Sequence, residues 1–347
     1  MTLSTIFRLV KKSQFTVQMN LWMLFMFVYY FGLTQISFAQ DTSCGLVWGP
    51  VIKFSPDTIA SYSPQIATGG EKVHVTWQSE NNGLKLPYTR STDGTIWEPL
   101  RDLLEGVYPY WVADPKIVAS KNKVYIFFVG GDNGVFRTPV KLMLSTDTGT
   151  SWSLPVDITD DSTAQLLYAS ILGDTACVIH RENYNSLKWK LTLSTNGGNS
   201  WYNPSSSVLT TAADKVAIGA QYLHRIYTLG ETYYRKSSDI GETWSDSVQL
   251  STEDIYGSLE SNLGVASNSN NTDRIFTAWR DGKYGGGFVG GIIFRYCPDE
   301  ENLWSDEYWI NETPDGVLGK GSIAVNKHIT ALVWSKSSIP SNTQIQL

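Results

Sequence analysis

The sequence contains few of the residues that cross-link proteins or bind metal ions. Of its 347 residues, only three are cysteine and four are histidine. Cys44, Cys177 and Cys297 are too few for a disulfide scaffold, and no two of them have CxxC spacing. The histidines are scattered at positions 74, 180, 224 and 328. We therefore expect neither a metal ion nor a cofactor.

Charge is also scarce. Charged residues make up 17% of the chain, and the formal net charge is −6. A mildly acidic protein lacks the positive footprint of a nucleic-acid-binding protein, so we expect no nucleic acid partner. With 13 Trp, 18 Tyr and 29 Gly, the composition argues against disorder, coiled coils and long helical bundles.

Long apolar runs are missing except near the N-terminus. Arg8, Lys11 and Lys12 precede an uncharged run at Leu21–Leu33, and Ser37-Phe38-Ala39 follows with small residues at its two ends. The run is too short for a membrane core of about 30 Å. It predicts a signal peptide over residues 1–39, cleaved after Ala39, although an uncleaved anchor is the alternative. We expect no membrane span after cleavage, and a secreted, periplasmic or cell-surface protein.

Six tryptophans recur at intervals of 43 to 60 residues: Trp48, Trp97, Trp152, Trp201, Trp244 and Trp304. The units between them contain four short runs rich in β-branched and aromatic residues, such as Val124-Tyr-Ile-Phe-Phe-Val129. Repeats of this length are typical of solenoids and propellers. The sequence predicts an all-β, six-bladed propeller of four-stranded antiparallel blades, one domain over residues 40–347.

The two ends of the domain look like parts of one blade. Residues 45–54 resemble a fourth strand, and residues 343–347 resemble a third strand. We expect these segments to pair and close the ring. Cys44 and Cys297 would then lie in neighbouring blades, where a disulfide between them is one hypothesis. Cys177, within an apolar run, is expected to be free and buried.

A Ser-x-Asp-x-Gly turn precedes most of the tryptophans. Ser145-Thr-Asp-Thr-Gly-Thr-Ser-Trp152 and Ser237-Ser-Asp-Ile-Gly-Glu-Thr-Trp244 match position for position, and three further copies are variants. Asp or Asn bonds amides within a tight turn, Gly permits positive φ, and Trp packs on the sheet. The pattern resembles the Asp-box, or BNR repeat, of the sialidase superfamily. We expect structural roles for its acidic and amide positions, which are Asp93, Asp147, Asn196, Asp239 and Asp299.

Successive strands of a predicted blade run in opposite directions, so first strands begin and second strands end at the face opposite the Ser-x-Asp-x-Gly turns. We expect this face to be the functional one. Aromatic rings beside charged groups suit a sugar, which has apolar faces and a hydroxylated rim. An ordinary solvated rim is the plain alternative. The candidate ligand-binding residues at this face are Tyr62, Trp77, Trp111, Asp114, Asp132, Arg137, Arg181 and Lys336.

The resemblance to sialidases also implies catalytic residues. Such enzymes hold a sialic acid carboxylate with three arginines and use a Tyr–Glu nucleophile pair and an Asp acid/base. Here Glu260 and Arg280 match in local context, and Asp281, beside Arg280, is a further candidate catalytic residue. The first-blade segment Ser61-Tyr-Ser-Pro-Gln-Ile66 contains no arginine, and residues 333–338 supply only Lys336. No counterpart of the tyrosine and no clear counterpart of the acid/base aspartate is found in the sequence.

Three functions therefore remain open. The leading one is a secreted, sialidase-like Asp-box propeller that binds glycans or glycoproteins outside the cell without the full catalytic set. The second is an exo-sialidase or another glycoside hydrolase, since Glu260, Asp281, Asp114 and Asp132 could provide the two carboxylates that most glycosidases need. The third is a structural or adhesive surface protein. We expect a monomer whose partner is an extracellular glycan or glycoprotein.

Overall fold

The computed structural model consists of β-strands joined by turns and loops. It describes the following residues: 5–9, 52–55, 60–80, 85–107, 111–131, 139–159, 165–181, 188–204, 208–209, 215–252, 258–267, 271–282, 291–298, 303–310, 322–325, 330–338 and 342–346. No helix within these ranges is long and apolar enough to cross a membrane. The prediction of an all-β protein is confirmed.

The strands fall into six sheets, which we number in chain order. Strand β1 (Thr5–Leu9) belongs to sheet six. Sheet one contains β2 (Ala60–Gly69), β3 (Lys72–Glu80), β4 (Pro87–Ser91) and β5 (Arg101–Asp102). Sheet two contains β6 (Trp111–Ser120), β7 (Lys123–Gly131), β8 (Val140–Ser145) and β9 (Val156–Asp157). Sheet three contains β10 (Leu166–Leu172), β11 (Thr175–Arg181), β12 (Trp189–Ser194) and β13 (Val208–Leu209).

The remaining sheets continue the pattern. Sheet four contains β14 (Lys215–Ile218), β15 (Leu223–Leu229), β16 (Glu231–Ser237) and β17 (Val248–Gln249). Sheet five contains β18 (Ser258–Ser267), β19 (Asp273–Asp281), β20 (Gly291–Cys297) and β21 (Tyr308–Trp309). Sheet six contains β22 (Ser322–Val325), β23 (Thr330–Ser338) and β24 (Asn342–Gln346), together with β1.

Sheets one to five each have their four strands side by side in chain order, and every pair is antiparallel. This is the predicted blade. The first strands also contact one another in chain order, from β2 through β6, β10, β14 and β18 to β22. Successive sheets are therefore neighbours through their first strands.

Sheet six differs from the others. Its β23 pairs with β22 and β24, and also with β1, where Phe7 lies opposite Val333. The expected partner of residues 343–347 was the segment 45–54, but residues 45–51 lie outside the described part of the chain. Pairing of these two segments stays a prediction, as does cleavage after Ala39, which would remove β1.

The hydrophobic core lies between neighbouring sheets because each sheet buries residues of both faces. Tyr125, Phe127 and Leu142 of sheet two pack with Leu166 and Val178 of sheet three. Ile126 and Phe128, with the opposite side-chain direction, pack with Tyr88 of sheet one. Burial on both faces explains the nearly continuous apolar run of β7, which has no alternation.

The turn tryptophans bind consecutive sheets together. Trp152 follows the third strand of sheet two and packs edge-on against Tyr88 of sheet one, with ring centroids 5.0 Å apart. Trp304 of sheet five contacts Tyr234 of sheet four with the same separation. In both cases the tryptophan of a turn packs against an aromatic ring of the preceding sheet. The turn therefore helps to hold the two sheets together.

The cysteines follow one expectation and contradict another. Cys177 is a free thiol with 0% exposure, as predicted, and burial raises its pKa to about 12. Cys297 is also a free, buried thiol. The hypothesis of a disulfide between Cys297 and Cys44 is therefore wrong for this structure, although Cys44 itself lies outside the described residues.

Candidate functional site

Antiparallel order separates two ends of each sheet. In sheet two, Trp111 at the start of the first strand lies opposite Gly131 at the end of the second. Ser145, which opens the turn before Trp152, lies opposite Val124 at the other end. We call the first end the loop face and the second the turn face. The candidate ligand-binding residues belong to the loop face.

The first strands carry β-bulges near the loop face. Register shifts occur between Tyr62 and Gln65, Ala113 and Lys116, Leu166 and Tyr168, and Leu259 and Asn262. Two bulges contain a left-handed residue before a proline, namely Ser63 with φ 49° and Asp114 with φ 51°. Non-glycine residues seldom adopt this conformation, and bulges next to binding sites re-aim side chains.

Four of the predicted ligand-binding residues lie at the loop-face end of their own sheets. Tyr62 is 47% exposed, whereas Trp111 is partly buried against the core between sheets two and three. Asp114 lies in its bulge three residues beyond Trp111. Arg181 ends β11, and its guanidinium carbon is 5.9 Å from the ring centroid of Trp189. This end of the sheets therefore offers aromatic, acidic and basic groups.

The candidate catalytic residues lie at the same end of sheet five. Leu259 pairs with Arg280 and Ser258 pairs with Asp281, while Glu260 lies within the bulge that follows Leu259. The backbone thus places Glu260 next to the position opposite Arg280. Arg280 is partly buried. Adjacent strands therefore bring together the two residues that match sialidases in local sequence.

Asp281 does not face a ligand as an acid/base would. It is 2% exposed, and its Oδ2 accepts hydrogen bonds from Trp279 Nε1 at 3.0 Å and from Ser258 Oγ at 3.3 Å. The bond from Ser258 joins the start of β18 to the end of β19, whereas the bond from Trp279 lies within β19. The carboxylate thus stabilises the strand pair at the edge of the site.

Trp77 lies in the core, contrary to its assignment as a ligand-binding residue. Its side chain is 1% exposed, and its ring centroid is 6.3 Å from that of Phe54. Trp279 occupies the corresponding place in sheet five and is equally buried at 1%. The position of a residue near the end of a second strand predicts correctly that it lies at the loop face. It does not predict whether the side chain projects toward solvent or toward the neighbouring sheet.

Other assigned residues have no described side chain. Asp132, Arg137 and Asp299 lie outside the described residues. Lys336 lies in β23 opposite Gln344, and only its backbone is described. Among the residues whose side chains are described, no group of three His, Cys, Asp or Glu is arranged to hold a metal ion.

The four described turns share one hydrogen-bond pattern at the turn face. In the second, Ser145 Oγ donates to Asp147 Oδ1 at 2.8 Å and accepts from Gly149 N at 2.8 Å. Asp147 also accepts from Ser151 N at 2.8 Å and Ser151 Oγ at 2.6 Å. The third turn keeps this arrangement with an amide, since Asn196 Oδ1 accepts from Ser200 N at 3.0 Å.

Those bonds stabilise the charged form of the turn carboxylates. Backbone N–H groups of Ile96 and Thr95 donate to Asp93 and lower its pKa to about 2. The hydroxyl and the N–H of Thr243 do the same for Asp239, whose pKa also falls to about 2. The donors are local, so the acidic groups are occupied in holding the turn.

The sequence analysis did not predict two kinds of polar contact, namely buried His–Tyr pairs and a cluster of arginine and tyrosine side chains. His74 Nδ1 lies 2.8 Å from Tyr88 Oη, and His224 Nδ1 lies 2.8 Å from Tyr234 Oη. The cluster links Arg225, Tyr227, Tyr233 and Arg235 in sheet four, where the first two are buried and the other two are half-buried. The signal for the latter was the alternation Arg-x-Tyr and Tyr-x-Arg in two adjacent strands, which places all four on one face.

Comparisons with known proteins show likeness in structure only. No family model matches the chain, and no curated protein matches it. A protein of unknown function from Dyadobacter fermentans is 13% identical, with a TM-score of 0.52 over 81% of this chain and 96% of that one. The NanB sialidase of Streptococcus pneumoniae is 13% identical, with a TM-score of 0.54 over 81% of this chain and 66% of that one.

A Trypanosoma rangeli sialidase is also similar, at 13% identity and a TM-score of 0.50 over 79% of this chain. The match covers 53% of that enzyme, so the chain spans about half its length. At such low identity these likenesses show the fold alone. The fold is a sialidase-like β-propeller fold built of antiparallel four-stranded sheets.

Proposed function

We propose that this protein is a secreted, monomeric Asp-box propeller, closed into six blades, that binds glycans or glycoproteins outside the cell without sialidase chemistry. The observation that carries the proposal is the loop face, where Tyr62 and the pair Trp111 and Asp114 lie in bulged first strands of sheets one and two and Arg181 ends the second strand of sheet three. A saccharide has apolar ring faces for the aromatic side chains and hydroxyls for the charged ones.

The state of Asp281 supports binding over hydrolysis. A general acid must reach the leaving-group oxygen, and glycosidases hold their two carboxyl groups on either side of the scissile bond. Asp281 is buried and bonded to Trp279 and Ser258, and so contributes to strand pairing instead. The sequence also provides only one arginine, Arg280, in a local context like that of the sialidase triad.

Glycoside hydrolysis is the second candidate function, and one observation favours it. Arg280 lies opposite Leu259, directly beside Glu260 in the chain. Sialidases similar to this fold also use a glutamate near an arginine from the adjacent strand. A different acid on the loop face would have to replace Asp281.

A glycan array probed with residues 40–347 tests binding. We expect selective binding that weakens at least tenfold in Tyr62→Ala, because the ring covers an apolar sugar face. Tyr308→Ala is the matched control, since Tyr308 is 44% exposed but lies in the outer strand β21. Equal loss in both variants, or no glycan bound by the wild type, would overturn the proposal in favour of a structural or adhesive role.

A fluorogenic sialoside at pH 5 to 7 tests hydrolysis. We expect turnover to be undetectable or very weak. Loss of two charged hydrogen bonds costs roughly 3–6 kcal/mol, or about 10² to 10⁴ in transition-state binding. Robust turnover that both Glu260→Gln and Arg280→Ala abolish would instead establish the hydrolase.

A further inference from the structure

A cavity of about 200 Å³ lies among the first strands of sheets three to six. Its walls come from β10, β14, β18 and β22, which contact one another in that order. The last residue of each of these strands lines the cavity, namely Leu172, Ile218, Ser267 and Val325. First strands end at the turn face, because their last residues pair with the start of the second strand, as Leu172 pairs with Thr175. The cavity therefore extends to the turn face, opposite the end that carries the predicted ligand-binding residues.

A short strand and small side chains leave this space. Strand β14 has four residues, whereas β10 has seven and β18 has ten. Ser170, Ala217 and Gly264 line the cavity and occupy little volume. A Cβ at Gly264 would lie 2.3 Å from Val325 Cγ2, so the lack of a side chain lets β18 approach β22 closely. The wall between sheets five and six is therefore tightly packed.

The lining is mostly apolar and carries no formal charge. Ile171, Leu172, Leu263, Val265 and Ile323 provide apolar walls, and none of the described lining residues is acidic or basic. Leu172 is 40% exposed, so apolar surface at the rim meets water. Water against such walls finds few hydrogen-bond partners, and its displacement by an apolar group favours binding. The cavity thus suits a ligand that is uncharged and largely apolar.

The hydroxyl of Tyr168 is a polar group that a ligand can reach in this lining. The two serines are engaged within the protein, since Ser170 Oγ accepts from Ile218 N at 3.4 Å and Ser267 Oγ accepts from Ala220 N at 3.1 Å. In the part of the chain that the structure describes, the Tyr168 hydroxyl has no hydrogen-bond partner. Burial raises the pKa of Tyr168, so the group stays a neutral donor at physiological pH.

We infer that this cavity binds a small uncharged molecule with one apolar ring or branched chain and one hydroxyl or carbonyl group, which bonds to Tyr168. Because an apolar cavity of about 150 Å³ can hold benzene, roughly eight non-hydrogen atoms fit in this one. The site shares no residue with the predicted ligand-binding set of the loop face. The inference therefore goes beyond the proposed function and does not depend on it.

Three one-ring probes test this ligand class on the full chain. Benzyl alcohol has a ring and a hydroxyl, toluene has the ring alone, and benzoate is an anion of similar size. Dissociation constants are measured by ligand-observed NMR titration. We expect both uncharged probes to bind, and benzoate to bind at least tenfold more weakly than benzyl alcohol, because an apolar lining disfavours a charge. Lys215 Nζ lies 5.6 Å from the ring centroid of Tyr168, so benzoate also tests whether this cation governs the site.

Two substitutions locate the binding. Tyr168→Phe keeps the ring and removes the hydroxyl, so it should weaken benzyl alcohol binding about threefold to tenfold, the loss of one neutral hydrogen bond, and leave toluene binding unchanged. Leu172→Trp fills the rim and should weaken binding of both uncharged probes at least tenfold. Leu154→Trp is the matched control, since Leu154 is 70% exposed, follows the turn residue Trp152 and does not line the cavity. It should bind both probes as the wild type does.

Failure of both uncharged probes to bind the wild type would overturn the inference, as would benzoate binding as tight as that of benzyl alcohol. Equal losses in Leu172→Trp and Leu154→Trp would indicate adsorption elsewhere, and equal effects of Tyr168→Phe on benzyl alcohol and toluene would exclude the hydrogen bond. Either result overturns it. The glycan array is repeated with Leu172→Trp, which should bind glycans as the wild type does, so the two proposals are tested separately. Loss of glycan binding in this variant would contradict a separate site.

Discussion

At the scale of single residues, burial separates side chains that look alike in sequence. Tyr62 and Trp77 both occupy loop-face positions of sheet one, yet Tyr62 is 47% exposed and Trp77 is 1% exposed. The difference arises because Trp77 points toward the core and Tyr62 precedes a bulge that turns the strand. A residue's place along a strand is thus a weaker guide to function than the side of the strand from which it projects.

Gly149 illustrates a position where both backbone and space require glycine. Its φ is +82°, and an added Cβ would lie 1.9 Å from Tyr88 Oη. Tyr88 cannot move away easily because its hydroxyl also contacts His74. We expect Gly149→Ala to lower the free energy of unfolding by more than about 2 kcal/mol, of which the left-handed backbone accounts for roughly 1 kcal/mol. Urea denaturation measures the change.

Gly230→Ala is the matched control. Its φ is +74°, and an added Cβ meets nothing within 4 Å. In the control, alanine lowers the free energy of unfolding only through the left-handed backbone conformation, by about 1 kcal/mol. Equal destabilisation by the two substitutions would show that the close approach of Gly149 to Tyr88 adds nothing to the effect of Gly149→Ala on the free energy of unfolding.

The buried His74 should make the free energy of unfolding depend on pH. Burial lowers its pKa from 6.5 to about 4. Nε2 donates to Gly69 O at 3.1 Å, so Nδ1 accepts from the Tyr88 hydroxyl and the ring is neutral. The unfolded state binds the proton more readily, and stability therefore falls as pH drops from 6.5 to 4. Below about pH 4 this contribution is constant.

We expect the melting temperature of the wild type to decrease across that pH window and that of His74→Gln to decrease less. The slopes are compared, since the substitution also changes stability at neutral pH. Equal slopes would assign the pH dependence to other groups.

At the scale of elements, the hairpin turn is the best-determined unit. The Ser, the Asp or Asn and the Gly of each turn bond one another within a few residues, and the same bonds recur in sheets one to four. Variation between copies is informative, because Asn196 accepts from Ser200 N as Asp147 accepts from Ser151 N. The turn therefore needs an acceptor at this position more than it needs a charge.

If the turn needs an acceptor more than a charge, substitutions at Asp147 should differ in how much they lower the melting temperature. Asp147→Asn should keep the bond to Ser151 N and change the melting temperature little. Asp147→Ala removes every side-chain bond and should lower it by roughly a few degrees. Thermal unfolding at pH 7 measures both. A loss in Asp147→Asn as large as that in Asp147→Ala would mean that charge itself holds the turn.

At the scale of the whole molecule, the segment that follows each tryptophan bonds to its own sheet and packs in the core that this sheet shares with the next one. Ile158, Leu250 and Ile310 each lie six residues beyond their tryptophan and donate a backbone bond to the third strand of their own sheet. All three are buried. Phe54 lies six residues beyond Trp48, and its ring centroid is 4.6 Å from that of Trp97. We therefore expect Phe54 to play the same part in sheet six.

Closure of the ring predicts a cost for shortening the chain. Removing residues 343–347 from the mature protein should lower the melting temperature by several degrees, because β24 pairs with β23 and is the expected partner of residues 45–54. Removal of Gln40–Thr42, which lie before the expected strand, is the control. An unchanged melting curve after loss of residues 343–347 would contradict closure.

The amino-acid sequence by itself determined the local structure of this protein. Strands and turns depend on neighbouring residues, so the tryptophan interval, the Ser-x-Asp-x-Gly turns and the β-branched runs were sufficient to predict four-stranded antiparallel sheets. The positions of Tyr62, Trp111, Asp114 and Arg181 at the loop face followed from strand alternation alone.

Only the tertiary structure decided which groups are accessible and which meet across sheets. It buried Trp77 and Asp281, set Trp152 against Tyr88 of the preceding sheet, and left Cys297 as a free thiol. It also stacked Arg225 and Arg235 over one tyrosine. These outcomes depend on the register between strands and the packing between sheets, which join residues far apart in the chain and leave no periodic signal in any one segment.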